Sequence, residues 1–257
     1  MRQLLPQPRE ITPDDATSGL GFAELAPPER PYLVLNMVST VDGRIAIAGH
    51  SGAIGNEADR ELFHGLRTQA DAVMAGAGTV RTERYGRLVR SPERRARRER
   101  DGLAADPLAI VVSARFDLPA DLPLLQSPES TVVVLTGAAR ELPAVAADLQ
   151  VERGPSSRAA DGRDALVMRP LLERLRAEHG VRSIVCEGGP RLNDGLLREG
   201  LVDELFLSFA PKIVGGNEPT LVVGAGFTPP KDLELISLLE SDQHLFMRYR
   251  VGGASIP

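Results

Sequence analysis

The sequence is poor in the residues that build disulfides, thiolate metal sites and base-stacking surfaces. It has a single cysteine, Cys186, so neither an intrachain disulfide nor a cysteine-based zinc site can form. Tryptophan is absent and aromatic residues make up 4% of the chain, which argues against the stacking platforms that bind single-stranded nucleic acid. We therefore expect a reducing compartment, the cytoplasm, and no nucleic-acid partner.

Long apolar runs and a strong excess of one charge are lacking as well. No stretch approaches the about 18 consecutive apolar residues of a transmembrane helix, and we expect no signal peptide in the proline-interrupted beginning of the chain. The formal net charge of −5 provides no general attraction to nucleic acid or to anionic membranes. The 257 residues suffice for one large α/β domain or two small ones.

Short apolar runs alternate with amphipathic patterns through most of the chain. Buried strands are predicted within 32–37, 71–80, 108–112, 130–139 and 181–189, and a strand of alternating character within 202–216. Helices are predicted within 55–70, 165–180 and 190–200. This alternation predicts an α/β fold with a mostly parallel central sheet and helices on both faces. Period-2 patterns in 233–241 and 244–251 predict a C-terminal antiparallel hairpin at one edge.

Two segments differ from this pattern. Residues 1–30 carry five prolines and little periodicity, and we interpret them as an N-terminal arm that wraps the domain or supports a dimer. Residues 31–257 are then a single domain.

The segment Arg81–Arg100 holds nine arginines and three glutamates, and we interpret most of it as the solvated surface of a loop and a helix. A nucleic-acid patch is the alternative, but Tyr85 is the only aromatic residue there.

In the stretch "CEGGP", two glycines without side chains lie where a predicted strand is followed by a predicted helix. Ligands of parallel sheets bind beyond the carboxyl ends of the strands. Gly188 and Gly189 let backbone N–H groups approach a ligand, and Pro190 fits the first position of a helix whose positive end suits a pyrophosphate. Glu187 is then expected to accept hydrogen bonds from a heterocycle or from ribose hydroxyls. A tight strand-to-helix turn explains the same glycines equally well.

Three further strand or helix ends carry polar residues. Thr79, in "AGAGTV", suits a phosphate or a nicotinamide, or else a close packing turn. Ser113 and Arg115 follow the third strand and suit the 2′-phosphate of NADP, with an ordinary surface arginine as the alternative. Arg67 ends an apolar helix, where it either caps the helix electrostatically or reaches a substrate phosphate.

Metal and nucleophilic chemistry are not indicated. The four histidines, His50, His64, His179 and His244, are scattered without ligand spacing, so we expect no metal site. Cys186 lies within an apolar strand pattern and is interpreted as a buried core thiol.

The ordered motifs "NMVSTVDGRIA", "LRTQADAVMAGAGTV", "VVSARFDLP", "SIVCEGGPRLNDGLL" and "GLVDELFLSFAPKIVGG" resemble the riboflavin-biosynthesis pyrimidine reductases over about residues 31–251. This family comprises the C-terminal reductase domain of the bifunctional deaminase-reductase and stand-alone relatives. The resemblance implies a dihydrofolate-reductase-like fold, a homodimer, and NADPH-dependent reduction of a ribosylaminopyrimidine phosphate to its ribityl form. The deaminase signature of H-x-E with P-C-x-x-C is absent, which matches the stand-alone form.

The resemblance also implies residue roles. With the Arg115 inferred above, the implied cofactor contacts are Ser39, Thr79, Glu83, Ser113, Gly188, Gly189, Pro190, Arg191 and Leu192. The implied substrate contacts are Asn36, Asp42, Ser51, Arg67, Leu88, Arg90 and Glu187. No general acid is assigned, and Asp42 and Glu187 are the candidates.

One loop departs from the family pattern. Where the family has "DDPxLxxR" this chain has "ERYGRLVR", so Glu83 replaces an aspartate and the Asp-Pro pair is missing. The altered loop motivates a rival hypothesis, a reductase of the same fold that acts on a dihydropterin or a dihydrofolate. A non-catalytic nucleotide-binding module and, from the arginine-rich segment, an RNA-binding protein are the alternatives from other classes.

Overall fold

A computed structural model describes residues 1–141, 144–159 and 162–252. Its strands are β1 (Arg2–Leu5), β2 (Arg9–Glu10), β3 (Tyr32–Thr40), β4 (Ala72–Gly76), β5 (Leu108–Val112), β6 (Thr131–Thr136), β7 (Asp148–Arg153), β8 (Ser156–Arg158), β9 (Asp164–Leu166), β10 (Ser183–Cys186), β11 (Glu204–Ala210), β12 (Leu233–Ser241) and β13 (His244–Val251). Its helices are α1 (Pro13–Thr17), α2 (Glu57–Arg67), α3 (Ala77–Thr82), α4 (Pro92–Arg100), α5 (Arg169–Glu178) and α6 (Pro190–Arg198). Residues 253–257, which close the predicted domain, lie outside the described residues.

One large sheet organises the chain, with the strand order β2-β1-β12-β13-β11-β3-β10-β4-β5-β6-β7. The strands from β11 to β7 in this order are all parallel, whereas β13, β12, β1 and β2 extend the sheet by antiparallel pairing. The predicted α/β fold with a mostly parallel sheet and a C-terminal antiparallel hairpin is therefore confirmed. None of the helices in the described part of the chain is long and apolar enough to cross a bilayer.

The sheet is covered on both faces, as alternation along its central strands requires. In β4, Ala72 and Met74 join a cluster that also contains leucines of α5 and α6, whereas Val73 and Ala75 face a cluster that contains residues of α3. Leu66 of α2 packs on this second side in a further cluster with Val34 of β3 and Val185 of β10.

The predicted helix boundaries follow from their capping residues. The side chain of Asn56 accepts a hydrogen bond from the Asp59 N–H at 2.9 Å and starts α2. Pro170 lies in the first turn of α5, where a missing N–H costs little. Gly180 and Gly200 have φ values of +67° and +64° just beyond α5 and α6, which is the left-handed conformation that ends a helix.

Residues 1–30 are more ordered than their proline content suggests. Strand β1 pairs with β12 and β2 pairs with β1, so this segment adds two strands to the sheet that residues 31–252 build. Helix α1 packs against α2 and begins with a capping box formed by Thr12 and Asp15. The role of this segment in a dimer stays a prediction.

Arg98 is an exception to the interpretation of most of residues 81–100 as solvated surface. Its side chain is fully buried, and its Nη1 donates to the backbone oxygens of Arg67 and Ala70 at 2.6 and 2.7 Å. Its Nε donates to the Ala104 oxygen at 2.7 Å, and burial lowers the pKa of Arg98 to about 10. This guanidinium therefore satisfies carbonyls at the end of α2 and ties α4 to the chain that follows α2.

Candidate active site

The carboxyl ends of β3, β10, β4 and β5 are neighbours in the sheet and open onto one cleft. Its volume of about 1470 Å³ exceeds the about 300–1,000 Å³ of a typical single-ligand site, so it has room for two small molecules side by side. Most residues predicted from the sequence line this cleft, namely Asn36, Ser51, Arg67, Thr79, Glu83, Leu88, Arg90, Ser113, Arg115, Glu187, Gly189, Pro190, Arg191 and Leu192.

Two glycine-rich strand ends meet at the floor of the cleft. The Gly76 N–H donates to the Gly188 oxygen at 2.7 Å, which joins the end of β4 to the end of β10. A Cβ on Gly189 would lie 2.9 Å from Oγ1 of Thr79, and a Cβ on Gly76 would lie 3.4 Å from the Gly189 nitrogen. Thr79 and Gly189, both predicted to contact the cofactor, are therefore close together, and a side chain at position 189 would crowd Thr79.

The N-terminus of α6 opens into the same cleft without a side-chain cap. Its N-cap residue is Gly189, its first turn contains Pro190 and no acidic residue, and no side chain hydrogen-bonds to the terminus. The positive end of the helix dipole and the backbone N–H groups of such a terminus favour a bound anion. The glycine floor and this uncapped terminus together fit the phosphates of a dinucleotide.

Arg115 lies after β5 at the edge of the cleft, next to Ser113. Arg115 is exposed and forms no ion pair or hydrogen bond with another described residue, whereas Arg81 in the same cleft pairs with Asp117 at 3.2 Å. Ser113 is buried, and its Oγ accepts a hydrogen bond from the Asp117 N–H at 3.0 Å. A free guanidinium at this place suits a phosphate group.

A buried ion pair, whose Glu187 directly precedes Gly188, forms another wall of the cleft. Nε and Nη2 of Arg67 lie 2.6 and 2.8 Å from Oε1 and Oε2 of Glu187, and Nη1 donates to the Leu88 oxygen at 2.8 Å. The Tyr85 hydroxyl donates to Oε2 of Glu187 at 2.5 Å. Burial opposes the charge of Arg67, but the Glu187 carboxylate outweighs it and raises the pKa of Arg67 above its usual value.

This pairing refines two sequence predictions. Arg67 was expected either to cap its helix or to reach a substrate phosphate, but each nitrogen of its guanidinium already donates to Glu187 or to Leu88. Glu187 was expected to accept bonds from a ligand, and it already accepts three from the protein. The phenyl ring of Phe63 lies 4.3 Å from Cζ of Arg67 and completes this wall.

Ser51 and Glu83 bind each other across the cleft entrance. The backbone nitrogen and Oγ of Ser51 donate to Oε1 of Glu83 at 2.9 and 3.0 Å. His50 lies 3.9 Å from the other oxygen of Glu83. The glutamate that replaces the expected aspartate therefore links the loop after β3 to the end of α3.

Three of the predicted residues do not line the cleft. Ser39 is buried, and its hydroxyl donates to the Thr40 oxygen at 3.0 Å. Gly188 contributes its backbone oxygen to the bond with Gly76 described above. Asp42 is exposed in the turn after β3 and accepts hydrogen bonds from Thr40 Oγ1 at 2.6 Å and from the Gly215 N–H at 2.6 Å, which lower its pKa to about 2. Asp42, a predicted substrate contact, is therefore not among the residues that line the cleft.

Sequence reasoning missed Tyr85 as a functional residue. The only local signal is that Tyr85 is the single aromatic residue among the arginines of residues 81–100. Cys186 is the buried core thiol that the sequence predicted, and burial raises its pKa to about 12. Across the described residues, His, Cys, Asp and Glu side chains form no group of three or more that could hold a metal ion.

The fold and the family of this chain are those of known reductases. The chain shares its fold with a pyrimidine reductase-like protein of Corynebacterium diphtheriae, with a TM-score of 0.76, 24% identity, and coverage of 94% of this chain and 99% of that one. Residues 31–246 match the RibD C-terminal domain family, and the chain belongs to this family.

Among its relatives are two proteins named 2,5-diamino-6-ribosylamino-4(3H)-pyrimidinone 5′-phosphate reductase. The one from Methanothermobacter thermautotrophicus is 33% identical over 87% of this chain and 100% of its own length. The one from Archaeoglobus fulgidus is 31% identical over 80% of this chain and 93% of its own length. The predicted membership of the riboflavin-biosynthesis reductases is thus confirmed, and the chain is an oxidoreductase of that family.

Proposed function

We propose that this protein uses NADPH to reduce the ribosyl group of 2,5-diamino-6-ribosylamino-4(3H)-pyrimidinone 5′-phosphate to a ribityl chain in riboflavin biosynthesis. The observation that carries the proposal is that one cleft is lined by two chemically different sets of groups, called here its cofactor end and its substrate end. One end has the glycine floor, the uncapped α6 terminus and Arg115, and the other has the wall of Arg67, Glu187 and Tyr85. A bimolecular reduction needs both ligands in one such space.

The cofactor end fits a phosphorylated dinucleotide. The α6 terminus at Gly189 would hold the pyrophosphate, with Thr79 beside it. Arg115 and Ser113 would hold the 2′-phosphate that distinguishes NADPH from NADH. When bound, NADPH supplies the hydride.

The substrate end fits an anionic, donor-rich heterocycle. Arg90 is exposed at the cleft, and no described residue pairs with its guanidinium, so it is available for the 5′-phosphate. Ser51 reaches the same phosphate if its bond to Glu83 exchanges for one to the ligand. Glu187 is left to contact the pyrimidine, and Asn36 and Leu88 complete the lining.

The chemistry asked of the protein is mainly positioning. Opening of the ribosylamine gives an imine at the first carbon of the sugar, and the cleft would hold that carbon near the cofactor end, where hydride adds to the carbon and a proton from solvent to the nitrogen. Glu187 accepts hydrogen bonds at both oxygens and therefore acts as an acceptor rather than as a proton donor. Asp42 lies outside the cleft, so neither acid proposed from the sequence is suited to donate a proton.

An assay of NADPH oxidation with separate substrates tests this function. We expect turnover with the diaminopyrimidine ribosylamine phosphate and none with a dihydropterin or dihydrofolate. Turnover only with the pterin or folate would support the rival reductase, and binding of NADPH without any turnover would support a non-catalytic module. The homodimer implied by the resemblance and the cytoplasmic location expected from the single cysteine remain predictions, and light scattering tests the first.

A further inference from the structure

Tyr85 makes a contact that the family pattern does not explain, because it lies in the loop that replaces the Asp-Pro pair. We infer that Tyr85 is a positioning residue that fixes the Glu187 carboxylate at the cleft wall, so that Glu187 recognises an N–H donor of the bound pyrimidine. This inference deepens the proposed function and rests on it.

The bonds to Glu187 define what remains for a ligand. A carboxylate offers about four lone-pair positions. Oε1 accepts one hydrogen bond from Arg67, whereas Oε2 accepts one from Arg67 and one from Tyr85. The phenol thus occupies the second position of Oε2, and the free acceptor position is on Oε1. With Tyr85 in place, Glu187 offers a ligand one hydrogen-bond acceptor position in one fixed orientation.

Tyr85 is itself held firmly enough to impose this orientation. Its backbone N–H donates to the Val80 backbone oxygen at 3.1 Å, and its backbone oxygen accepts a hydrogen bond from the Leu124 N–H at 2.8 Å. Its ring packs against the core cluster that contains Val80 and Leu88, and its centroid lies 5.4 Å from Cζ of Arg67. The hydroxyl therefore arrives at Glu187 from an anchored loop.

Tyr85 acts as a hydrogen-bond donor and not as an acid. Burial, followed by the charge of Glu187, raises its pKa well above the ordinary value of 10. An efficient proton donor has a pKa near the working pH, so this phenol keeps its proton and its bond to Glu187. A rigid acceptor that keeps one buried lone-pair position unfilled when the ligand lacks an N–H discriminates between ligands.

The chain contains a matched arrangement away from the cleft. The Tyr32 hydroxyl donates to Oε1 of Glu204 at 3.0 Å, and Arg248 binds the same carboxylate through Nε and Nη2 at 2.7 and 2.9 Å. Neither Tyr32 nor Glu204 lines the cleft. Tyr32→Phe therefore removes the same kind of bond without touching the proposed site.

The test compares Tyr85→Phe with Tyr32→Phe in the full-length protein. We expect Tyr85→Phe to raise KM for the diaminopyrimidine ribosylamine phosphate about tenfold, with kcat and the Kd of NADPH nearly unchanged, because uniform binding is lost. Tyr32→Phe should change Tm and leave KM unaltered. If both variants have the same KM for this substrate while the wild-type protein is active, the positioning role of Tyr85 is refuted but the proposed function is not. Failure of the wild-type protein to turn over this substrate would refute the proposed function, and this inference with it.

Discussion

The guanidinium of Arg67 and the carboxylate of Glu187 form a two-point ion pair, with their side chains only 9% and 2% exposed. They are 120 positions apart in the chain. The pair joins the end of α2 to the residue after β10 and thereby fixes one wall of the cleft. Such a pair affects the stability of the fold mainly when one partner is removed, because the charge that is left buried and unpaired is unfavourable.

Arg67→Met should therefore destabilise the fold strongly. Removal of one partner of a buried pair typically lowers the free energy of unfolding by about 3–5 kcal/mol. Urea denaturation measures the loss. The double variant Arg67→Met/Glu187→Leu should recover part of it, because no unpaired carboxylate is left. A double variant that loses the sum of the two single effects would show that the residues do not interact.

Arg115→Ala should lower the preference for NADPH over NADH. A charge-assisted bond to phosphate contributes about 1.5–3 kcal/mol, so we expect KM for NADPH to rise at least about tenfold while KM for NADH stays constant. Arg81→Ala is the matched control, because Arg81 is already paired with Asp117. An equal rise for both cofactors in Arg115→Ala would contradict a 2′-phosphate contact.

Gly189→Ala should weaken NADPH binding. The added Cβ would lie 2.9 Å from Thr79 Oγ1 and would stand between the α6 terminus and its ligand. We expect the affinity, measured by NADPH fluorescence, to fall at least about tenfold, or about 1.4 kcal/mol. Unchanged affinity in Gly189→Ala would place the dinucleotide elsewhere.

Asp42 should contribute to stability against acid. Bonds from Thr40 and from the Gly215 and Val214 N–H groups lower its pKa from 3.8 to about 2. A carboxyl group whose pKa is lowered by folding stabilises above its unfolded pKa, and this stabilisation is lost as the pH falls through the folded value. The Tm difference between wild type and Asp42→Asn should therefore shrink between pH about 4 and about 2. A constant difference over this range would contradict the assignment.

The central strands and the N-cap of helix α2 were predicted correctly from the sequence, because both depend on local signals. β5 was predicted with its correct bounds, and α2 with its cap Asn56, because a short buried run and a capping side chain are local signals. In the structure β4 and β10 are neighbours, so the two strand ends singled out for their glycines lie side by side. Glycine-rich strand ends thus indicated the cofactor end of the cleft.

Long-range pairing was beyond the reach of one sequence. Nothing local distinguishes the buried Arg98 from the other arginines of Arg81–Arg100, because its partners are backbone oxygens at the end of α2 and beyond α4. The same is true of Tyr85, whose function depends on a partner 102 positions away. Strand β1 was missed because it is short and mostly exposed, and only its pairing with β12 orders it.

Transfer of a labelled hydride tests the proposed reduction most directly. The protein would be incubated with the diaminopyrimidine ribosylamine phosphate and NADPH that carries deuterium at the transferable position of its nicotinamide. We predict consumption of one NADPH for each ribityl product formed, with one deuterium on the carbon that was the first carbon of the ribose. A product without deuterium, or no consumption of NADPH, would contradict the account.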